Sequence, residues 1–102
     1  MNMHDLYKKS QSLPAGEVIL DVRRPDEFAD GHIAGAINIS HDEVPSRIAE
    51  LKKYKRVYMH CRSGGRVSRT AAALDAASSS NIEFITDGGM LEWIEAGYPV
   101  KK

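Results

Sequence analysis

Several residue types are scarce in this chain of 102 residues, and each shortage excludes a class of protein. A single cysteine excludes an internal disulfide framework. Fourteen basic and fourteen acidic residues cancel, so the chain lacks the basic excess that broad binding to nucleic acids or anionic membranes requires. No apolar run approaches the ~18 residues of a membrane-spanning helix. The opening MNMHDLYKK lacks the apolar core of a secretory signal, so we expect a cytoplasmic protein with neither nucleic acid nor membrane as partner.

The length and composition are those of an ordinary small globular protein. A chain of 102 residues suits one compact domain, which we expect to span residues 1–102. Apolar residues make up 42% and charged residues 27% of the chain, close to the usual balance. A protein of this size buries roughly two-thirds of its unfolded surface, which is enough for a modest core.

Short apolar segments alternate with helical patterns along the chain. The predicted strands are 17–22, 34–40, 56–60 and 82–86. The predicted helices are 3–10, one or two turns between Pro25 and Gly31, a helix capped by Asp42 that runs to about Leu51, 67–77 and 90–97. This alternation predicts an α/β fold with a central parallel sheet of four to five strands and helices on both faces. Ligands bind such sheets at the carboxyl ends of the strands.

The segment YMHCRSGGRVSR, residues 58–69, places the sole cysteine just after the third predicted strand. It leads into a helix, and the free amides at a helix N-terminus attract negative charge. Gly64 and Gly65 allow consecutive amides to converge on one point, and Arg62 and Arg66 add permanent positive charge. A cysteine attacks as the thiolate, so the segment predicts an ionised, nucleophilic thiol with an anion-binding nest beside it.

Other interpretations of Cys61 fit the pattern less well. A lone cysteine at a strand end is often an inert core residue, but such a residue needs neither Gly-Gly nor two arginines in the next five positions. Zinc needs about four ligands at short spacings, whereas the histidines are scattered and His60 points to the opposite face of its strand. The loop also lacks the Lys-Ser/Thr of a phosphate-binding P-loop. We therefore predict no metal and no cofactor.

Three stretches resemble motifs of the rhodanese family of single-domain sulfurtransferases. LDVRRPDEFADGHIAGAINI, residues 20–39, is similar to the N-terminal signature of the family. CRSGGR, residues 61–66, is similar to its six-residue active-site loop, and DGGMLEWIEAGYPV, residues 87–100, to its C-terminal motif. Their order and spacing also match, so the resemblance extends over most of the chain and implies a rhodanese-like fold.

The resemblance implies covalent sulfur transfer through Cys61. This residue would attack a small anionic donor such as thiosulfate, carry the sulfur as a persulfide, and pass it to a thiol or cyanide acceptor, or to a protein acceptor. The guanidinium of Arg66 or Arg62 would bind the donor. The amides expected to cradle the sulfur belong to Arg62, Ser63, Gly64, Gly65, Arg66 and Val67.

The chain departs from the family pattern just after the loop, and several residues outside the loop have supporting roles. Val67 stands where many relatives carry Ser or Thr, so a hydroxyl that could bond the sulfur or cap the helix is lost. Asp21 is expected to bond the backbone or Arg23 beneath the site, and Arg23 either pairs with it or adds positive potential. Structural roles are predicted for His32 and Asn38 in turns, Trp93 in the core, and Gly88 and Gly89 as turn residues with positive φ.

Two alternative functions stay open at this point. A phosphatase or arsenate reductase would use a loop with five residues between cysteine and arginine, whereas four separate Cys61 from Arg66. The shorter loop favours a cradle for one sulfur atom. The second alternative is a sulfur carrier or partner-binding rhodanese module that does not turn over on small donors.

Overall fold

The computed structural model describes all residues from 1 to 102. The strands are β1 (Glu17–Asp21), β2 (Ile37–Asn38), β3 (Arg56–His60) and β4 (Ile82–Phe84). The helices are α1 (Met3–Ser10), α2 (Pro25–Asp30), α3 (Ile48–Lys52), α4 (Gly65–Ala73) and α5 (Met90–Glu95), with a 3-10 turn at Pro45–Arg47. None of these helices has the length and apolar character needed to cross a lipid bilayer.

The strands form one parallel sheet in the order β2-β1-β3-β4. In β1, Leu20 pairs with Ile37 of β2 on one side and with Met59 of β3 on the other. Helices cover both faces of this sheet. The α/β fold class predicted from the sequence is therefore confirmed, with four strands out of the four to five expected.

Each face of the sheet has its own apolar core, because successive strand residues point to opposite faces. The α4-side core joins alternate residues of β1 and β3 to Leu51 of α3 and Val67 of α4. The α5-side core joins Ile19 and Tyr58 to Leu6 of α1 and Trp93 of α5. Burying one such side chain contributes roughly 1.5–3 kcal/mol, so the two cores hold the strand ends in fixed positions.

The strand order creates a crevice between β1 and β3. From β1 the chain continues to β2 on one side, and from β3 to β4 on the other. Ligands bind at such a switch point, outside the carboxyl ends of the strands. Asp21 at the end of β1 pairs in register with His60 at the end of β3. The residues after these strands, Arg23 and Cys61 among them, therefore meet at one edge of the sheet.

The single helix predicted over 42–51, with Asp42 as its cap, is wrong. Turns occupy 41–44, Pro45 begins a 3-10 turn, and α3 starts only at Ile48. The amide of Arg47 donates to the carbonyl of Val44 at 3.0 Å, which is the bond of a 3-10 turn, and the backbone of Arg47 (φ −115°, ψ 17°) then leaves helical geometry before α3 begins. The predicted apolar face nevertheless packs in or against the α4-side core: Val44, Ile48 and Leu51.

Helix α4 is also displaced from its predicted range of 67–77. It begins at Gly65 and ends at Ala73, where Leu74 adopts an extended conformation. Beyond it, the Asp75 carboxylate accepts the amide of Ser78 at 2.8 Å. Aspartate and serine bond nearby backbone in turns and so compete with the helix. The earlier start brings the first-turn amides of α4 into the loop that follows Cys61.

Candidate active site

The sulfur of Cys61 lies at the end of β3, beneath the loop that leads into α4. The residue is 1% exposed and belongs to the α4-side core. The amide of Gly64 donates to its Sγ at 3.1 Å. Gly64 has φ of 105°, in the left-handed region that favours glycine, and this turn directs its amide back toward the sulfur. The sulfur is buried, as an inert cysteine would be, but it also accepts a backbone amide, as a nucleophile would.

The loop amides on either side of Gly64 are free to bind an anion. They form no hydrogen bond to the backbone, and no side chain accepts from them. Three of them open α4, where the first turn of a helix always leaves amides without helical partners. Unpaired amides that follow one another around a turn create a concentrated positive potential. The residues concerned are Arg62, Ser63, Gly65, Arg66 and Val67.

Three of the loop carbonyls, by contrast, accept hydrogen bonds. The carbonyl of Cys61 accepts the amide of Met90 at 2.8 Å, and that of Arg62 accepts the amide of Leu91 at 3.1 Å. The carbonyl of Gly64 accepts both the amide and the hydroxyl of Ser68. The hydroxyl next to Val67 therefore caps loop backbone and does not reach the sulfur. Because these carbonyls are bound and the amides are free, the loop presents mainly hydrogen-bond donors to an incoming anion.

Two glycines permit the close packing of the loop against the segment between β4 and α5. A Cβ at Gly64 would lie 2.2 Å from the carbonyl oxygen of Thr86, and one at Gly89 would lie 2.3 Å from that of Cys61. Gly88 has φ of 102°, as predicted, whereas Gly89 has φ of −179°. The prediction of positive φ at Gly89 is therefore wrong, because glycine is needed there for close approach.

The two loop arginines differ in what they contact. Arg66 donates to both carboxylate oxygens of Glu27 on α2, at 2.6 and 3.0 Å. This pairing lowers the pKa of Glu27 from 4.5 to about 2 and raises the pKa of Arg66. Arg62 is exposed and forms no ion pair. Of the two guanidinium groups expected to bind a donor, only that of Arg62 is free of a carboxylate.

Asp21 and Arg23 form a buried ion pair beneath the loop, as the sequence suggested. Arg23 donates to the carboxylate through Nη2 at 2.7 Å and through Nε at 2.9 Å, and its amide donates at 3.0 Å. Its Nη2 also donates to the carbonyl of Gly31 at 2.8 Å. The amide side chain of Asn38 donates to the carbonyls of Asp21 and Arg23, which ties β2 to the same corner. These contacts support the crevice and leave the Asp21 carboxylate fully paired.

His60 is fully buried between this ion pair and the loop. Its Nδ1 lies 3.2 Å from the carbonyl oxygen of Cys61, and its Nε2 lies 3.9 Å from Oδ2 of Asp21. Because a carbonyl oxygen only accepts, Nδ1 carries the proton. Burial lowers the pKa of His60, against a smaller opposing effect of Asp21. The neutral imidazole therefore supports the loop backbone from below the sheet edge.

A shallow cleft of about 300 Å³ lies beside the loop. The exposed side chains of Ile94 and Val100 contribute its apolar part. Its charged lining comes from Arg23, Glu27, Asp30 and Arg62. Cys61 does not line it. No group of three or more histidine, cysteine or carboxylate side chains is arranged to hold a metal ion.

Sequence reasoning missed two features of this site. One is Glu27 as the partner of Arg66, since the two residues are 39 positions apart and only the fold brings them together. The other is the contact of Gly89 with the backbone of Cys61. The resemblance had placed both residues in motifs, which marked them as relevant without showing what they touch.

The family model of the rhodanese-like domain matches residues 3–96. The chain belongs to the rhodanese family. A relative named sulfurtransferase from Allochromatium vinosum is 31% identical to this rhodanese-like chain over 102 residues, which cover 98% of the chain and 94% of the relative. The crystal structure of a rhodanese-related protein from Thermoplasma volcanium matches with a TM-score of 0.77 at 36% identity, over 99% of this chain and 95% of that one.

Other relatives of this rhodanese-like chain are longer and carry different names. An HTH-type transcriptional regulator of Mycobacterium tuberculosis is 42% identical over 87 residues, which make up 84% of this chain and 38% of the regulator. The chain spans 63% of an uncharacterized protein of Bacillus subtilis at 34% identity. Family membership and the relatives named sulfurtransferase thus support a sulfurtransferase, while the activities of longer relatives belong to those proteins.

Proposed function

We propose that this chain is a sulfurtransferase that takes sulfane sulfur from thiosulfate or a persulfide donor and passes it to a thiophilic acceptor through a persulfide on Cys61. The observation that carries the proposal is the loop backbone. The Gly64 amide donates to Sγ, and the amides around it have no other partner. Residues 1–102 would act as one rhodanese-like unit in the cytoplasm, where a lone thiol stays reduced.

The proposed reaction has two displacements at sulfur. The Cys61 thiolate attacks the outer sulfur of thiosulfate, the sulfur–sulfur bond of the donor breaks, and sulfite leaves with the bonding electron pair. An acceptor thiolate or cyanide then attacks the outer sulfur of the persulfide, and Cys61 leaves as the thiolate. Each intermediate on the enzyme is an anion, so one preorganised set of amides serves both steps.

Donor binding is assigned to Arg62, with Arg66 available after an exchange of partners. Arg62 is exposed at the cleft and free of carboxylates. Arg66 would reach a donor only by releasing Glu27, which holds it with two hydrogen bonds. Because Cys61 is 1% exposed, the donor meets Sγ after a small movement of the loop or of the cysteine side chain.

Mass spectrometry of the intact protein tests the reaction class. Purified, reduced protein incubated with thiosulfate should gain one sulfur atom, which cyanide removes as thiocyanate. Since the chain has only one cysteine, any persulfide is assigned to Cys61, and the Cys61→Ser variant should gain nothing. The proposal fails if neither thiosulfate nor an organic persulfide loads the wild-type protein. Cys61-dependent hydrolysis of an aryl phosphate would instead favour the phosphatase alternative.

A carrier or partner-binding module is the second candidate function. It is favoured by Ile94 and Val100, which are 55% and 46% exposed and flank the same cleft as Arg62. A protein acceptor with an apolar contact surface would cover these side chains. If the protein loads sulfur in a single turnover but passes it to small thiols at a negligible rate, the carrier function is preferred. Ile94→Ser should then weaken transfer to a protein acceptor and leave loading unchanged.

A further inference from the structure

We infer that Gly89 is a positioning residue for the sulfur-binding loop. Because Gly89 has no side chain, the start of α5 approaches close enough to hold two loop carbonyls, and this contact keeps the amides of Arg62 and Ser63 free to bind an anion at the sulfur. The inference deepens the proposed function, since it concerns how Cys61 is made reactive.

Two hydrogen bonds join the start of α5 to the loop. Met90, the first residue of α5, donates its amide to the carbonyl of Cys61 at 2.8 Å. Leu91 donates its amide to the carbonyl of Arg62 at 3.1 Å. The amides of the first helical turn have no partner within the helix, so here the loop carbonyls satisfy them.

The geometry of the peptide bond links these two contacts to the direction of the loop amides. The chain contains no cis peptide bond. In a trans peptide the carbonyl and the following amide point in opposite directions. Holding the carbonyls of Cys61 and Arg62 against α5 therefore turns the amides of Arg62 and Ser63 away from α5, where no protein group accepts them. The start of α5 thus keeps two donors available for an anion.

Position 89 has no space for a side chain. A Cβ there would lie 2.3 Å from the carbonyl oxygen of Cys61 and 2.5 Å from the carbonyl carbon of Arg62. These atoms are backbone, so the contact is relieved only if α5 and the loop move apart. The φ of Gly89 is −179°, which any residue adopts, so an alanine there perturbs the contact and not the local backbone conformation.

The test is the pH profile of alkylation of Cys61 by iodoacetamide, measured on the folded protein. Alkylation follows the thiolate, and no other cysteine interferes. In Gly89→Ala the profile should move to higher pH, and sulfur transfer should fall by about 100-fold, as after loss of one oxyanion donor. The control is Leu6→Ala, a fully buried residue of α1 that lowers stability and should keep the wild-type profile.

A second variant covers the case in which Gly89→Ala does not fold. Replacing the amide of Met90 by an ester in a semisynthetic chain removes one hydrogen bond and retains every side chain. Its alkylation profile should also move to higher pH. A wild-type profile in a folded Gly89→Ala protein, or in the ester variant, overturns the inference. Because alkylation requires no sulfur donor, this outcome is separable from a failure of the proposed sulfur transfer.

Discussion

Two arginine–carboxylate pairs lie beside the loop that holds the sulfur. They differ in burial and in how far apart the paired residues are in the sequence. Asp21 and Arg23 are two residues apart, their closest atoms are 2.7 Å apart, and their side chains are 0% and 7% exposed. Glu27 and Arg66 join α2 to the loop across 39 positions, and each side chain is 18% exposed. One residue of each pair, Arg23 and Glu27, lines the cleft, but the Asp21 carboxylate is closed off from solvent, whereas both side chains of the second pair are partly exposed.

The difference in burial separates a supporting pair from an exchangeable one. Removing one partner of a buried pair leaves an uncompensated charge in the interior, at a cost of about 3–5 kcal/mol. A partly exposed guanidinium can instead pass from one anion to another, because water and the incoming anion compensate the loss. We therefore expect Asp21–Arg23 to hold the site together and Glu27–Arg66 to respond to the donor.

The largest expected effect is on stability, from Asp21→Asn. This change leaves Arg23 buried without its carboxylate, so the free energy of unfolding should fall by about 3–5 kcal/mol. Urea denaturation measures it, with Asp26→Asn as control, since Asp26 and Arg24 form an exposed pair and should be nearly neutral. Equal effects of the two substitutions would show that burial of the Asp21–Arg23 pair does not increase its contribution to stability.

The next effect concerns His60, which is buried next to the Asp21–Arg23 pair. Burial lowers its pKa in the folded protein below the ordinary value of 6.5. Below about pH 6.5 the unfolded chain therefore binds a proton that the folded chain does not, and stability falls as pH decreases, by up to about 1.4 kcal/mol per pH unit.

The His60→Gln variant should lose this part of the pH dependence of stability. At slightly alkaline pH, the free energy of unfolding should be independent of pH in both the variant and the wild type. Urea midpoints between about pH 5 and 8 measure the difference between the two proteins. Parallel curves over the whole range would show that His60 accepts a proton without cost in the folded state, through Asp21 at 3.9 Å.

A smaller effect is expected on donor binding in Glu27→Gln. The change releases Arg66 from its carboxylate, so the KM for thiosulfate should fall severalfold while kcat changes less. Glu50→Gln, which breaks the pair of Arg47 and Glu50 at α3, is the matched control and should leave both constants unchanged. A KM that rises in Glu27→Gln would mean that the pair positions Arg66 for the donor instead of competing with it.

The smallest effect is the response of the Glu27–Arg66 pair to acid. The pKa of Glu27 is lowered from 4.5 to about 2, so its stabilisation is present above pH 4.5 and is lost as pH falls toward 2. Acid unfolding of Glu27→Gln should therefore show a shallower decline over that range than the wild type does. Identical slopes would indicate that the pair is screened by solvent and contributes no measurable stability.

Much of the fold could be predicted because local patterns and packing agree. EVILDV and RVYMH are apolar on both sides, and in the structure Ile19 and Tyr58 face one core while Leu20 and Met59 face the other. The errors lie where short-range chemistry competes with a helical pattern. The helix predicted over 42–51 is interrupted at Arg47, where the backbone leaves helical geometry, and the turn around Asp75 shortens α4.

The site was predictable in part for the same reason. Cys61, its glycines and the start of α4 are neighbours in sequence, so the loop with its free amides follows from local structure. Local structure does not show which guanidinium is free of a carboxylate. Arg62 and Arg66 look alike in the sequence, and only the position of α2 gives Glu27 to one of them.

The sequence by itself determined the sheet, the position of the thiol at a strand end and the donors that follow it, because these depend on periodicity and on residues within one turn of each other. The tertiary structure decided which charges are paired, how deeply the sulfur lies and why Gly89 has no side chain. These properties arise from contacts between segments that are distant in the chain. There, differences of a few tenths of an ångström in packing distance and the exclusion of water set the interaction energies.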